Sequence, residues 1–263
     1  MITIVCRELD PRSNERQSRI ASQVVECFVG RLPPLRLLIF LDGTAWQEFR
    51  EMNGVQNRGF FHPIDEFYFR KMDWRADLLE ELLTRGSATG EIDYRFDAVI
   101  YLHNDACQSE DSLTMTLAHE LQHFSQYGLD RTVWASNTLV TRLSRVVIER
   151  LGLRWIDIPI EFEARLVAKR ISEKLLGRDR IARYIESRLK AHVTDGDAED
   201  WALISGIKVS EEYDCKENTR ALFRRIAHER GAIEQALRET SDLPDFASLD
   251  IDELILPIGP NSQ

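Results

Sequence analysis

The chain is short of cysteine, of basic residues and of long apolar runs, and each shortage narrows what it can be. Its 263 residues include four cysteines, Cys6, Cys27, Cys107 and Cys215, which are scattered and form no C-x-x-C pair. That usage reads as reduced thiols in a cytoplasmic protein rather than as a disulfide framework. The opening MITIVCRELDPRSNERQ has no basic segment followed by an apolar core, so no export signal is expected. No run approaches the roughly 18 apolar residues of a membrane span, so no membrane partner is expected either. Lys and Arg number 34 against 44 Asp and Glu, for a net charge of −10. A nucleic-acid partner calls for a basic face, which this balance does not supply. The one locally basic stretch, RDRIARYIESRLK at 178–190, reads as a solvated helix face.

Strand and helix signals alternate in the first third. ITIVCREL (2–9) predicts a strand, SNERQSRIASQVVECFVGRL (13–32) a helix, and LRLLIFLDG (35–43) a buried strand closed by an Asp-Gly turn. A short helix is expected over 44–54 and an amphipathic one over 74–86. The aromatic 58–70 segment, broken by Pro63, reads as an edge strand or hairpin. YRFDAVIYLHND (94–105) is the strongest strand signal. Helices then dominate, at about 109–127, 134–151, 159–176, 178–190 and 216–238, with the polar TDGDAED (194–200) as an interruption. The expected class is α+β: a small N-terminal twisted sheet with helices, followed by a mainly helical half. The expected division is a domain over 1–190 and a C-terminal helical extension over 191–263 packed on it.

Within TLAHELQHFSQ (116–126), His119-Glu120-Leu121-Gln122-His123 matches H-E-x-x-H. Side chains four apart share a helix face, so both imidazoles can reach one ion. Glu120 falls beside them, where a base would take a proton from a metal-bound water. Leu113, Leu117, Leu121 and Phe124 form the apolar stripe, while His119, Glu120 and His123 lie off it with Thr116 and Tyr127. Gly128 is read as the helix stop. Two surface histidines, or a satisfied buried pair, are the plainer alternatives.

A catalytic zinc needs a third protein ligand. Gly at 126 with His at 129 would supply one pattern, but the chain has Gln126 and Leu129. Cys107 lies upstream in a loop and is a weak candidate. DIPIEFEARLVAKRI (157–171) is the better place, with Pro159 at a helix start. Ile160, Ala164, Val167 and Ile171 form its buried stripe, and Glu163 lies beside that stripe. A carboxylate there is costly unless a cation meets it, so Glu163 is the expected ligand. Glu161, with Arg165 at i+4, is the alternative, and a salt bridge from Glu163 to an arginine is another.

At these motifs the chain resembles the gluzincin branch of the zincin metallopeptidases. EFEARLVAKR is similar to the E-x-E-A-N-x-F-A stretch of ImmA/IrrE-type cytoplasmic peptidases. The resemblance spans roughly residues 94–176 and implies a zincin-like fold, Zn²⁺, and cleavage of a protein substrate. It maps the third ligand onto Glu163. Arg165 stands where that group has Asn, the gap from His123 to Glu163 is long, and no repressor-linked module is visible.

The expected mechanism has His119, His123 and Glu163 holding Zn²⁺ while Glu120 takes the water's proton and passes it to the leaving amine. Zincin substrates usually lie as an added strand, and 96–103 is the expected docking edge. Tyr127 is a candidate oxyanion donor, with His192, Tyr184, Tyr213 and His228 as unranked others. His62 and His103 read as loop and strand-end residues. Two other functions stay open: a catalytically silent binding protein on the same scaffold, and a zinc hydrolase of a small amide. The acidic 242–253 segment reads as a solvated tail, or as a restraint folded over the cleft.

Overall fold

The computed structural model describes residues 1–7, 11–43, 58–64, 80, 82–85, 89–91, 95–141, 148, 151–191 and 195–239. The helix expected over 44–54, most of that over 74–86, His192 and the acidic segment lie outside them.

Strand β1 (Ile2–Arg7) leads through helix α1 (Pro11–Glu26) to β2 (Leu37–Asp42), followed by β3 (Gly59–Pro63) and β4 (Ala98–Leu102). The strands form one sheet in the order β1-β2-β4-β3. β1, β2 and β4 run parallel, Ile2 opposite Leu37 and Leu37 opposite Ala98, whereas β3 is antiparallel to β4. The mixed sheet explains why LLIFLD and AVIYL are unbroken apolar runs: both strands are interior and buried on both faces. It also corrects one expectation. Residues 96–103 are not a docking edge, because β4 is hydrogen-bonded on both sides and its residues are buried. A strand's own sequence does not specify its neighbours.

Alternate residues serve opposite faces. Leu38, Phe40, Phe60, Val99 and Tyr101 pack with Leu82, Leu83 and Phe96 on one side. Phe61 points to the other side, where its ring lies 6.0 Å from that of Phe124 and 5.7 Å from that of Tyr127. Those two rings belong to helix α3 (Glu110–Leu129), which follows the short α2 (Asn104–Cys107).

Next come α4 (Arg131–Thr141), a 3-10 turn (Trp155–Asp157), α5 (Pro159–Leu176), α6 (Arg178–Ala191), α7 (Asp195–Gly206), α8 (Cys215–His228) and α9 (Arg230–Glu239). The expected start of α5 at Pro159 is met. The polar 194–200 segment opens α7 rather than interrupting the helices, and the 216–238 helix is two helices that meet at Glu229.

The chain folds as two compact units: Met1–Leu129 with Ala164–Val209, and Asp130–Glu163 with Ser210–Gln263. Their limit falls inside α5. In the first unit buried Lys169 donates to the carbonyls of Ile204 (2.9 Å), Ser205 (2.9 Å) and Ile207 (2.8 Å), satisfying the end of α7. In the second, Asn137 Nδ2 donates to Val133 O at 2.9 Å and Thr219 Oγ1 at 2.8 Å, tying α4 to α8. Val133, Ile158 and Ile160 form that unit's small apolar cluster.

Candidate metal centre

Helix α3 is fixed at both ends before it presents anything. Ser109 caps it, its Oγ accepting from the Ser112 N–H at 3.1 Å. Glu110 and Asp111 occupy the first turn, where carboxylates complement the helix dipole. Arg180 of α6 reaches both, at 2.9 and 2.6 Å. Arg58 donates to Ser112 Oγ at 2.9 Å and to Tyr184 OH at 2.8 Å. At the other end Ser125 Oγ donates to Arg31 O at 2.9 Å. Gly128 is helical rather than a left-handed stop: α3 runs on to Leu129, and a Cβ at Gly128 would fall on Pro33. The glycine serves a close approach.

The expected stripe of Leu113, Leu117, Leu121 and Phe124 is fully buried. Glu120, His123, Gln126 and Tyr127 are buried as well, so the side of α3 that carries the motif is also covered. His119 is half-buried. The two imidazoles meet edge to face with ring centroids 4.6 Å apart, and their Nε2 atoms stand 3.0 Å apart. On the far side of the His123 ring, Nδ1 is 2.8 Å from Gln126 Oε1.

The third member comes from the first turn of α5. Arg154 and Asp157 close the preceding turn with paired contacts at 2.9 and 2.8 Å, and the helix then starts at Pro159. Ligand atoms of His119, His123 and Glu161 all lie within 4.8 Å of one another, with His123 and Glu161 buried. Glu163 does not belong to this group. Residues two positions apart on a helix diverge by about 200°, and α5 is buried beyond the Ile160–Ala164–Val167–Ile171 stripe: Leu166, Ala168 and Lys169 are buried too. The inner face is therefore wider than the spacing indicated, and Glu161 shares it. Glu163 instead accepts a hydrogen bond from the Cys215 thiol and lies near Tyr213, and burial followed by this carboxylate's charge raises the thiol pKa. Arg165, expected beside Glu161, has its NH2 3.4 Å from Asp200.

The group suits a metal ion on chemical grounds. Burial, then His123, then the Arg165 charge hold His119 well below the usual histidine range, so it is neutral. Neutral imidazole is the form that binds metal. Two nitrogens bound to one tetrahedral zinc at about 2.0–2.1 Å stand roughly 3.3–3.4 Å apart, close to the 3.0 Å seen here. Two imidazoles with one carboxylate is a donor set of catalytic zinc, leaving one position open.

Other candidates are placed elsewhere. Tyr127 is buried and packed on Phe61, Tyr184 accepts from Arg58, and Tyr213 stacks with Phe162 at 4.7 Å. Cys107 is buried near the end of β4, its thiol pushed up to about 12, chiefly by desolvation. His62 lies in β3 rather than in a loop, His103 directly follows the end of β4 as expected, and both are buried. His103 caps α2, its Nδ1 accepting from the Asp105 N–H at 3.3 Å. Gln126 was missed, although it lies one turn beyond His123 on the same face.

The chain is thus a mixed α+β protein carrying a His-His-Glu group that can hold a metal ion. No family, curated protein or solved structure matches it. No described helix is long and apolar enough to cross a membrane.

Proposed function

We propose that the protein is a zinc-dependent metallopeptidase in which His119, His123 and Glu161 hold the ion and Glu120 is the general base. The observation that carries this is the convergence of both motif imidazoles with Glu161, with Glu120 buried on the helix between them. Bound zinc supplies Lewis acidity toward a water and an amide carbonyl. Glu120 takes a proton on its carboxylate and returns it to the leaving amine nitrogen. Glu161 contributes one negative charge to the donor set, and Gln126 steadies His123. The substrate is an amide bond in a protein or peptide, and the expected location is cytoplasmic.

The test is elemental analysis of the wild type and of Glu161→Ala, Glu163→Ala and Glu120→Gln, alongside cleavage of an unfolded protein such as casein. The expected result is about one zinc per chain, lost in Glu161→Ala and kept in the other two. Cleavage should fall about 10²–10⁴-fold in Glu120→Gln. A wild type that takes up no zinc, even when supplied, removes the enzyme reading and leaves a binding protein. Zinc lost in Glu163→Ala and kept in Glu161→Ala reassigns the third ligand.

A further inference from the structure

We infer that Gln126 is the positioning residue that commits His123 to one tautomer and so decides which ring nitrogen can take a metal. The inference rests on the reading of His119, His123 and Glu161 as a metal group, and reaches a residue outside the H-E-x-x-H motif.

Gln126 is one helical turn past His123 and is buried with it. Its Oε1 lies 2.8 Å from His123 Nδ1. A carboxamide oxygen only accepts hydrogen bonds, so this contact requires a proton on Nδ1. His123 Nε2 then carries a lone pair, directed at His119 Nε2 3.0 Å away. The opposite amide orientation would have opposite consequences. Its NH2 would donate to Nδ1, drive the ring proton onto Nε2 and block the nitrogen that faces the group. A leucine of similar size would leave the ring free to take either form.

The same geometry sets the metal-free state of His119. With His123 Nε2 as acceptor, the 3.0 Å contact needs a donor, and His119 supplies it as the Nε2–H tautomer. The two histidines are therefore of opposite tautomer before metal arrives: Nδ1–H in His123 and Nε2–H in His119. To offer Nε2 to a divalent ion, His119 would have to carry that proton on its own Nδ1 instead. His123 needs no rearrangement, because Gln126 has already oriented it. Outer hydrogen bonds of this kind typically change metal affinity 10–100-fold.

The experiment has two readouts on wild type, Gln126→Leu and Gln126→Glu. One is nitrogen NMR of the ring tautomers in the chelator-treated protein, and the other is zinc affinity by competition with a chromophoric chelator. Expected are Nδ1–H at His123 and Nε2–H at His119 in the wild type, with a mixed His123 signal in Gln126→Leu. Zinc affinity should drop roughly 10–100-fold in Gln126→Leu and recover in Gln126→Glu, which keeps an acceptor at the same place. A merely space-filling role would leave the tautomer unchanged and would not distinguish Glu from Leu. Nε2–H at His123 in the wild type overturns the inference, as does a Gln126→Leu affinity within twofold of wild type. If the wild type takes up no zinc, the metallopeptidase reading fails. The tautomers, measured without metal, then still decide the part Gln126 plays.

Discussion

Replacing Gly59 with alanine adds one methyl where β3 meets β4, and two physical effects of opposite sign compete there. Alanine loses less chain entropy on folding, which favours the variant by about 0.5–1 kcal/mol. Yet a Cβ built at Gly59 meets Leu102 Cδ2 at 2.6 Å, the Tyr101 carbonyl oxygen at 2.7 Å and Thr116 Cγ2 at 3.5 Å. Carbon atoms attract at about 3.5–4.0 Å, so the Leu102 contact is roughly 0.9 Å too close. Leu102 can turn away for about 0.5–1.5 kcal/mol of rotamer strain. The Tyr101 carbonyl is backbone in an interior strand and cannot, so β3 must move off β4. Overpacking of this kind costs about 1–3 kcal/mol. The steric effect outweighs the entropy gain by up to about 2.5 kcal/mol, which lowers Tm by up to roughly 10 °C at this size. Thermal melts followed by circular dichroism measure it. Gly59→Ala made in a Leu102→Ala background separates the side-chain clash from the backbone one, and a substantial part of the loss should persist there. A rise in Tm for Gly59→Ala, which chain entropy alone would give, refutes the reasoning.

Two further substitutions follow from the packing. Lys169→Met takes an ammonium donor from the Ile204, Ser205 and Ile207 carbonyls, of which Ile204 keeps the Ile207 N–H. It should cost about 2–3 kcal/mol, read as a lower urea midpoint at constant slope, and an unchanged midpoint contradicts it. Arg36 bonds Asp97 through its backbone N–H and guanidinium and holds that carboxyl below its ordinary value. A depressed carboxylate pKa gives stability that is present above the unfolded value near pH 4 and is lost as pH falls through the folded one. Asp97→Asn should therefore cost about 0.5–1 kcal/mol at pH 7, the pair being partly exposed, with the difference shrinking below pH 4. A difference that does not change with pH counts against the ion pair.

The sequence made some of this legible and left some hidden. The spacing of His119 and His123 places them on one face of a helix, and that is where they meet. Pro159 marks the start of α5 because a missing N–H costs nothing in a first turn. Choosing between Glu161 and Glu163 needed knowledge of what packs around α5. A 3.6-residue period shows a buried stripe but not its width when a second side is also covered. The strand run at 98–102 was legible as buried, whereas its place between β2 and β3 is a matter of pairing partners. Gly128 looked like a helix stop because glycine serves both left-handed caps and close approaches, and only Pro33 distinguishes them. The acidic opening of α7 reads equally as a loop or as a first turn.

The strand order also bears on how the chain reaches this state. Among the described residues β4 is the last strand to be synthesised, yet it is inserted between β2 and β3, which both precede it. The sheet therefore cannot grow by adding each new strand to an outer edge. Until β4 arrives, the backbone edge of β2 that it will pair with stays open, so contacts distant in sequence must form before the sheet is complete. Helix α3 follows β4 almost directly, and Phe124 and Tyr127 dock on Phe61 of β3, the strand that β4 secures. His119 and His123 share α3 and so meet as that helix forms, whereas the group is complete only once Glu161 of α5 joins them. Zinc that binds only the completed group would stabilise the folded chain by mass action, and its presence should slow unfolding while leaving the folding rate unchanged.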